Sequence, residues 1–352
     1  MHFLQLLRTQ KPFVMSNIGY DVQSLLFEKI KEKLPPYEAL VGVITDILNI
    51  GIDGAYRRIR GNTLLKLDEV IILCKEFRIS IDELLQAADS NTVVFSPSGL
   101  ENAHMDFEDY LKNMLEIINY IQRKKVKRSF FAAKDIPIFH LFQFPDLAMF
   151  KMFFWRNTIF NDPTLSGKRF EIGLRSEKDL RCIDLCRQIS EKYSMIPTIE
   201  IWNEETAFSF MKQIAYYYKA GLFKNKEDAL NICEQVETFF HHLKQETELG
   251  YKFLYGHPPK SRVENFDFYF NDLILIDNLI TVEFEQGVET FLIYHSIEYL
   301  STSNHEFHQK VTGWLDNLTR KSDLISRVSE MQRNRYFLGI FDRLEQLKKQ
   351  LS

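Results

Sequence analysis

Cysteine is scarce: Cys74, Cys182, Cys186 and Cys233 are scattered through 352 residues. They make neither a disulfide framework nor paired CxxC zinc spacing, and such usage fits a reducing, cytoplasmic setting. Long apolar runs are missing too. The richest stretch, 136–160, is broken by Asp146, Lys151 and Arg156 and by Pro137 and Pro145, whereas a membrane span needs roughly 20 uninterrupted apolar residues. Charge of one sign is lacking: the net charge is −4. The whole chain therefore does not attract polyanions, and any nucleic-acid contact has to come from a local basic surface. HExxH, GxSxG, GxxxxGKS/T and a dinucleotide glycine fingerprint are all absent, so the sequence gives an enzyme no positive support and implies no cofactor. Residues 1–12 contain no basic leader, long apolar stretch or small-residue cleavage site and do not read as a signal peptide. Translation is expected to start at Met1 or at Met15.

What is present is the composition of an ordinary globular protein, 45% hydrophobic and 26% charged. Its length exceeds what one hydrophobic core usually organises, so two or three domains are expected. Leu26, Ile30 and Leu34 repeat every fourth position and Pro35-Pro36 ends the segment, which predicts a first helix from Gln23. Leu40, Val43, Ile44, Ile47 and Leu48 predict a second, closed by Asn49, a residue that tolerates the left-handed conformation past a helix end. Ile52, Ala55, Tyr56 and Ile59 predict a third with Gly61 as its stop, and Leu67, Val70, Ile71, Cys74 and Phe77 a fourth. Ser80 and Glu83 match a capping box opening a fifth helix that ends near Ala88.

The turn-rich segment 89–100 reads as a linker, with 93–95 as an alternative short strand. Beyond it, helices are expected near 102–124, 146–158, 176–193, 204–220, 226–247, 305–320 and 329–350. A small antiparallel β element is expected from 273–276, 279–284 and 289–295, where β-branched and aromatic residues cluster. No repeat of fixed period is found, although the helix pairs between 176 and 247 leave a tetratricopeptide-like arrangement open.

Five short helices in about 65 residues, with a tight turn between the second and third, can lay one helix in a DNA major groove. The run from Ile44 through Asn49, Gly51, Ala55, Arg57, Arg58 and Arg60 to Gly61, with the spacing onward to Leu67 and to Ser80 and Glu83, resembles the Cro and phage-repressor-type (XRE) helix-turn-helix family. The resemblance covers about a fifth of the chain. Thr45 stands for the usual small residue of helix two and Asn49 for the usual turn glycine. Arg58 stands where an apolar residue is usual and Ile59 follows it, so helix three is expected to be rotated or extended by a residue.

The resemblance implies a lambda-repressor-like five-helix domain that binds double-stranded DNA, with contacts from Asp53, Gly54, Tyr56, Arg57 and Arg60. Arg57 is the first candidate for a base, because a guanidinium can grip guanine O6 and N7 with two donors. Arg58, Arg60 and Lys66 are expected at phosphates. Against this stands the charge of 21–85, nine Lys and Arg facing eleven Asp and Glu. A helix-turn-helix turned protein-interaction module, within a scaffold protein, is the alternative.

Other signals are bland. The basic run 123–128 reads as a solvated helix end before extra phosphate contacts. Cys182 and Cys186, i and i+4, read as buried thiols and not as a metal pair. His241 and His242 point in different directions and are given no role. The aromatics after residue 130, such as Phe130, Phe142, Phe150 and Trp155, read as core, with a pocket or dimer interface as alternatives.

The sequence thus predicts a mainly α, cytoplasmic, DNA-binding transcriptional regulator without catalytic or metal site. Its parts are an extension (1–22), a helix-turn-helix domain (23–88), a linker (89–100) and a mostly helical region (101–352). That last region is expected to dimerise and to take a peptide, small-molecule or protein effector. No membrane association is expected.

Overall fold

Helices appear where apolar residues recur at helical spacing, and they fall into two units divided after Val94. The structure is a computed structural model that describes residues 18–35, 38–77, 79–85, 92–98, 107–173, 175–257, 264–272, 278–294 and 298–351. The first unit holds α1 (Ile18–Lys33), α2 (Leu40–Leu48), α3 (Ile52–Ile59), α4 (Leu67–Glu76) and α5 (Ile81–Leu85). Its core joins Leu26, Phe27 and Ile30 of α1 to Ile44, Ala55, Leu73, Cys74 and Leu84. Burying each large side chain contributes about 1.5–3 kcal/mol. At Ala55, fully buried, only a methyl separates α3 from that core. The Glu83 side chain and residues 86–91 lie outside the described residues, and with them the capping-box partner and the expected helix end near 88.

The second unit overturns the expectation of a mainly α chain with a small antiparallel element. Among the described residues eight strands form one mixed sheet: β1 (Ser96–Ser98), β2 (Val126–Ala133), β3 (Thr198–Trp202), β4 (Phe266–Phe270), β5 (Leu279–Phe284), β6 (Val288–Tyr294), β7 (Glu298–Thr302) and β8 (Asp323–Leu324). Their order is β1-β7-β6-β5-β2-β3-β4-β8. β2, β3 and β4 run parallel, whereas β5 meets β2 antiparallel. The parallel strands escape a sequence reading because both faces are covered, so their residues do not alternate. In β2, Ser129 to Ala133 are all buried. β1 occupies part of the expected linker and pairs with β7. The β5–β6 pairing is antiparallel, and 273–276 lies outside the described residues.

The helices of this unit are α6 (Phe107–Arg123), α7 (Ile138–Leu141), α8 (Pro145–Phe154, continued by a π turn Trp155–Ile159), α9 (Glu177–Ser194), α10 (Glu204–Lys219), α11 (Lys226–Leu249), α12 (His305–Thr319) and α13 (Glu330–Leu351). Phe131 and Ala133 of β2, with Trp202, Phe266 and Phe268, pack on one face beneath α8, α10, α11 and α13. Phe130, Ala132 and Ile201 pack on the other with Leu315 and Leu318 of α12. The parallel crossovers carry helices as the geometry requires, α7 to α9 between β2 and β3, then α10 and α11 between β3 and β4. β3 lies within 176–247, so that stretch is not a stack of helix pairs. Among the described residues no helix is long and apolar enough to cross a membrane.

Candidate nucleic-acid interface

The turn that aims α3 is made by three residues. Asn49 adopts the left-handed conformation (φ 50°, ψ 50°), where a short polar side chain is tolerated, and Ile50 N donates to Thr45 O at 3.2 Å. Gly51, extended, is the N-cap of α3. Asn49 thus performs the turn for which a glycine is usual.

On α3, Asp53, Tyr56 and Arg57 face solvent, as does Arg60 just after it. Two local contacts hold them. Arg57 Nε meets Asp53 at 3.1 Å with both side chains well exposed, a pair of the kind worth a few tenths of a kcal/mol. The Arg60 guanidinium lies 5.3 Å from the centre of the Tyr56 ring. Both arginines are therefore oriented without being tied down. Lys66 is exposed at the N-cap of α4. Gly54 is half-buried, and a Cβ there would meet Arg58 Nη1 at 3.6 Å, an ordinary contact.

Arg58, expected at a phosphate, is turned inward. Its Nε and Nη2 donate to the two oxygens of Glu69 at 3.0 and 2.7 Å, and Nη1 donates to the Gly54 carbonyl at 3.2 Å. Glu69 also accepts from Lys66 N at 3.0 Å. The Arg58 hydrogen bond, first among the causes, holds the Glu69 carboxyl below its ordinary value. This explains the guanidinium at an apolar position: the fork takes the place of an apolar contact between α3 and α4. Gln23, not singled out in the sequence, closes the same region. Its amide donates to Arg58 O (2.7 Å) and Thr63 O (3.0 Å) while its oxygen accepts from Leu65 N (2.7 Å). The chain leaving α3 is thereby stapled to α1.

The second unit holds a buried polar cluster that the sequence did not reveal. Glu200 of β3 is fully buried. It meets His140 Nε2 at 2.9 Å and accepts from Tyr193 Oη at 2.7 Å and Trp202 Nε1 at 2.9 Å. Burial pushes its carboxyl up, and the charges of His140 and Lys252 with these hydrogen bonds more than offset that, holding it below the ordinary range. Lys252 donates to Ile196 O at 2.8 Å and to the Thr198 hydroxyl; burial brings it down to about 8. His242, beside it in the fold, meets Phe253 O at 2.9 Å. The cluster ties β3 to α7, α9 and the segment after α11. Only folding brings these residues together, so no local spacing could have exposed them.

The remaining sequence candidates serve the fold. α6 ends at Arg123 and the basic run continues into β2. There Lys125 pairs with Glu285 at 3.2 Å and Arg128 with Asp316. Cys182 and Cys186 are buried, and burial raises the Cys186 thiol well above its ordinary value. His241 stacks on Phe341 with centroids 4.4 Å apart. Among the described residues no group of three or more His, Cys, Asp or Glu is placed to hold a metal ion. No protein-family model, curated protein or solved structure matches the chain.

Proposed function

We propose that this chain is a sequence-specific, DNA-binding transcriptional regulator of the cytoplasm. The observation that carries the reading is the two-sided build of α3. Outward it offers Asp53, Tyr56, Arg57 and Arg60, while inward Arg58 on Glu69 and Gln23 on the following loop hold it rigid. A helix held by packing behind its contact residues is what base readout requires. In this reading Arg57 reads a base edge, Arg60 and Lys66 meet phosphates, and Arg58 positions the helix. A second copy binds the other half of a dyad-symmetric site one helical turn away, and the second unit dimerises and takes an effector. The four buried cysteines, none of them in a disulfide, suit a reducing compartment.

Selection of random duplex DNA by the full chain at about 150 mM salt tests it, with Arg57→Ala/Arg60→Ala as control. Enrichment of a dyad-symmetric motif that the variant loses supports the reading; no enrichment by either protein overturns it.

A second reading, docking of a protein on the helix-turn-helix, is favoured by two features. Residues 21–85 carry two more acidic than basic groups, and Ile52 and Leu67 stand 63% and 73% exposed. Salt separates the readings, because phosphate contacts weaken steeply as salt rises and apolar docking does not.

A further inference from the structure

The outward face of α3 carries a carboxylate among its cations. Asp53 lies one turn before Arg57, their side chains 81% and 63% exposed, and the guanidinium approaches the carboxylate through Nε at 3.1 Å. Neither group is spent elsewhere in the protein. Among the described residues the two side chains have no other ion pair and no hydrogen bond.

Which end of the guanidinium is engaged decides what it can still do. Arg58 lays Nε and Nη2 on Glu69, and Arg187 on the surface of α9 donates Nη2 to Asp184 at 3.1 Å. Each of these has a terminal nitrogen committed. Arg57 keeps Nη1 and Nη2 side by side for a pair of acceptors, and guanine O6 and N7 are such a pair. One oxygen of Asp53 is also left over. Arg60, in contact with the Tyr56 ring, has no carboxylate partner among the described residues, which suits a phosphate and not a base.

A carboxylate on this face carries a cost on every DNA sequence, because it enters the field of the phosphates. That cost is offset only where a base donates to it, and in the major groove the natural donor to an aspartate is the cytosine N4 amine. A charge left unmet on wrong sequences gives discrimination at the expense of affinity. The reach agrees. Four residues of α3 span about 6 Å of helix axis and base pairs rise about 3.4 Å, so two side chains with joined heads meet neighbouring base pairs.

On the DNA-binding reading of α3, on which this inference rests, we propose that Asp53 is the specificity-determining partner of Arg57. Arg57 grips a guanine with Nη1 and Nη2, while Asp53 steadies it at Nε and accepts from the cytosine of the adjacent base pair with its other oxygen. The two read neighbouring base pairs as one unit and reject sequences that leave Asp53 without a donor. Asp53 also stands in the first turn of α3, where a carboxylate suits the helix dipole; that role bears on stability and not on base preference.

The test is selection of random duplex DNA at about 150 mM salt by the full chain and by its Asp53→Ala and Asp53→Asn variants. Each protein is then titrated with the duplex that the unaltered chain selects and with a scrambled one. The expected motif has a guanine with a C·G pair beside it. Asp53→Ala should lose the preference at that neighbouring pair and bind the selected duplex about tenfold more weakly. It should bind the scrambled duplex roughly two- to threefold more tightly, as a like charge leaves the groove. Asp53→Asn should move the neighbouring preference toward adenine, whose N6 and N7 suit an amide. A motif that both variants keep overturns the inference and leaves the DNA-binding reading standing, whereas no motif from any of the three proteins overturns both. Equal weakening of both duplexes by Asp53→Ala overturns the inference too, since a residue that serves only the helix weakens all DNA alike. Circular dichroism of each variant separates loss of the fold from loss of recognition.

Discussion

Arg58 of α3 lays two guanidinium nitrogens on the two oxygens of Glu69 in α4, at 3.0 and 2.7 Å, with both side chains largely shielded from water. Neighbouring arginines on one helix are thereby divided between two tasks. Arg58→Ala should lower the stability of the first unit by about 1–3 kcal/mol, since it leaves a shielded carboxylate unpaired. Arg57→Ala removes only an exposed pair and should change stability by less than about 0.5 kcal/mol. Urea denaturation of the two variants checks the contrast, and equal losses would refute it.

The same pair makes the first unit sensitive to acid. Glu69 has its carboxyl held below the ordinary value of 4.5, chiefly by the Arg58 hydrogen bond. A carboxylate depressed in the folded state contributes stability that is fully present above its unfolded value and lost as pH falls through its folded one. Stability of the first unit should therefore decline below about pH 4.5, and Glu69→Gln should be less stable at neutral pH with a flatter acid limb.

Gln23 occupies three backbone groups at once, Arg58 O, Thr63 O and Leu65 N. Gln23→Leu keeps the volume and strands all three, at a cost of about 2–4 kcal/mol. In the regulator reading this variant also loses DNA affinity without touching DNA, because the end of α3 is no longer held.

Glu200 receives hydrogen bonds from His140, Tyr193 and Trp202 while fully buried. Glu200→Gln halves the acceptor capacity and leaves donors unmet, so the second unit should lose about 3–5 kcal/mol. Thermal unfolding should show its transition falling while that of the first unit stays in place.

On DNA, Arg57→Ala should cost about 1–3 kcal/mol and relax preference at one base pair. Arg60→Ala or Lys66→Ala should weaken all sequences alike and reduce the salt slope by about one. Uniform losses from all three, measured by titration at several salt concentrations, would place the reading face elsewhere.

Helices were legible where one face alone is buried. Leu26 and Ile30, or Ala55 and Ile59, repeat at the spacing that makes a stripe, and α9 to α13 show comparable patterns. The left-handed Asn49 was legible because few residues tolerate that conformation. The sheet was not. Strands such as Thr198–Trp202 are short, and the stretch from Ser129 to Ala133 is buried on both faces, so no period of two survives. Arg58 illustrates the same limit at the candidate interface: its charge placed it among phosphate contacts, and only the approach of Glu69 from α4 turned it inward.

By itself, then, the amino-acid order determined the local choices. It set where helices start and stop, that the chain turns at Asn49, and that Arg57 and Arg60 lie close together at the end of one helix. Tertiary structure alone decided which charges face water and which face each other, how eight strands order into one sheet, and how Glu200 meets His140, Tyr193 and Trp202. The physical reason is distance along the chain. Helical periodicity is written within a few residues, whereas strand partners, buried ion pairs and clefts depend on groups far apart in sequence that only the folded core brings within a few ångströms.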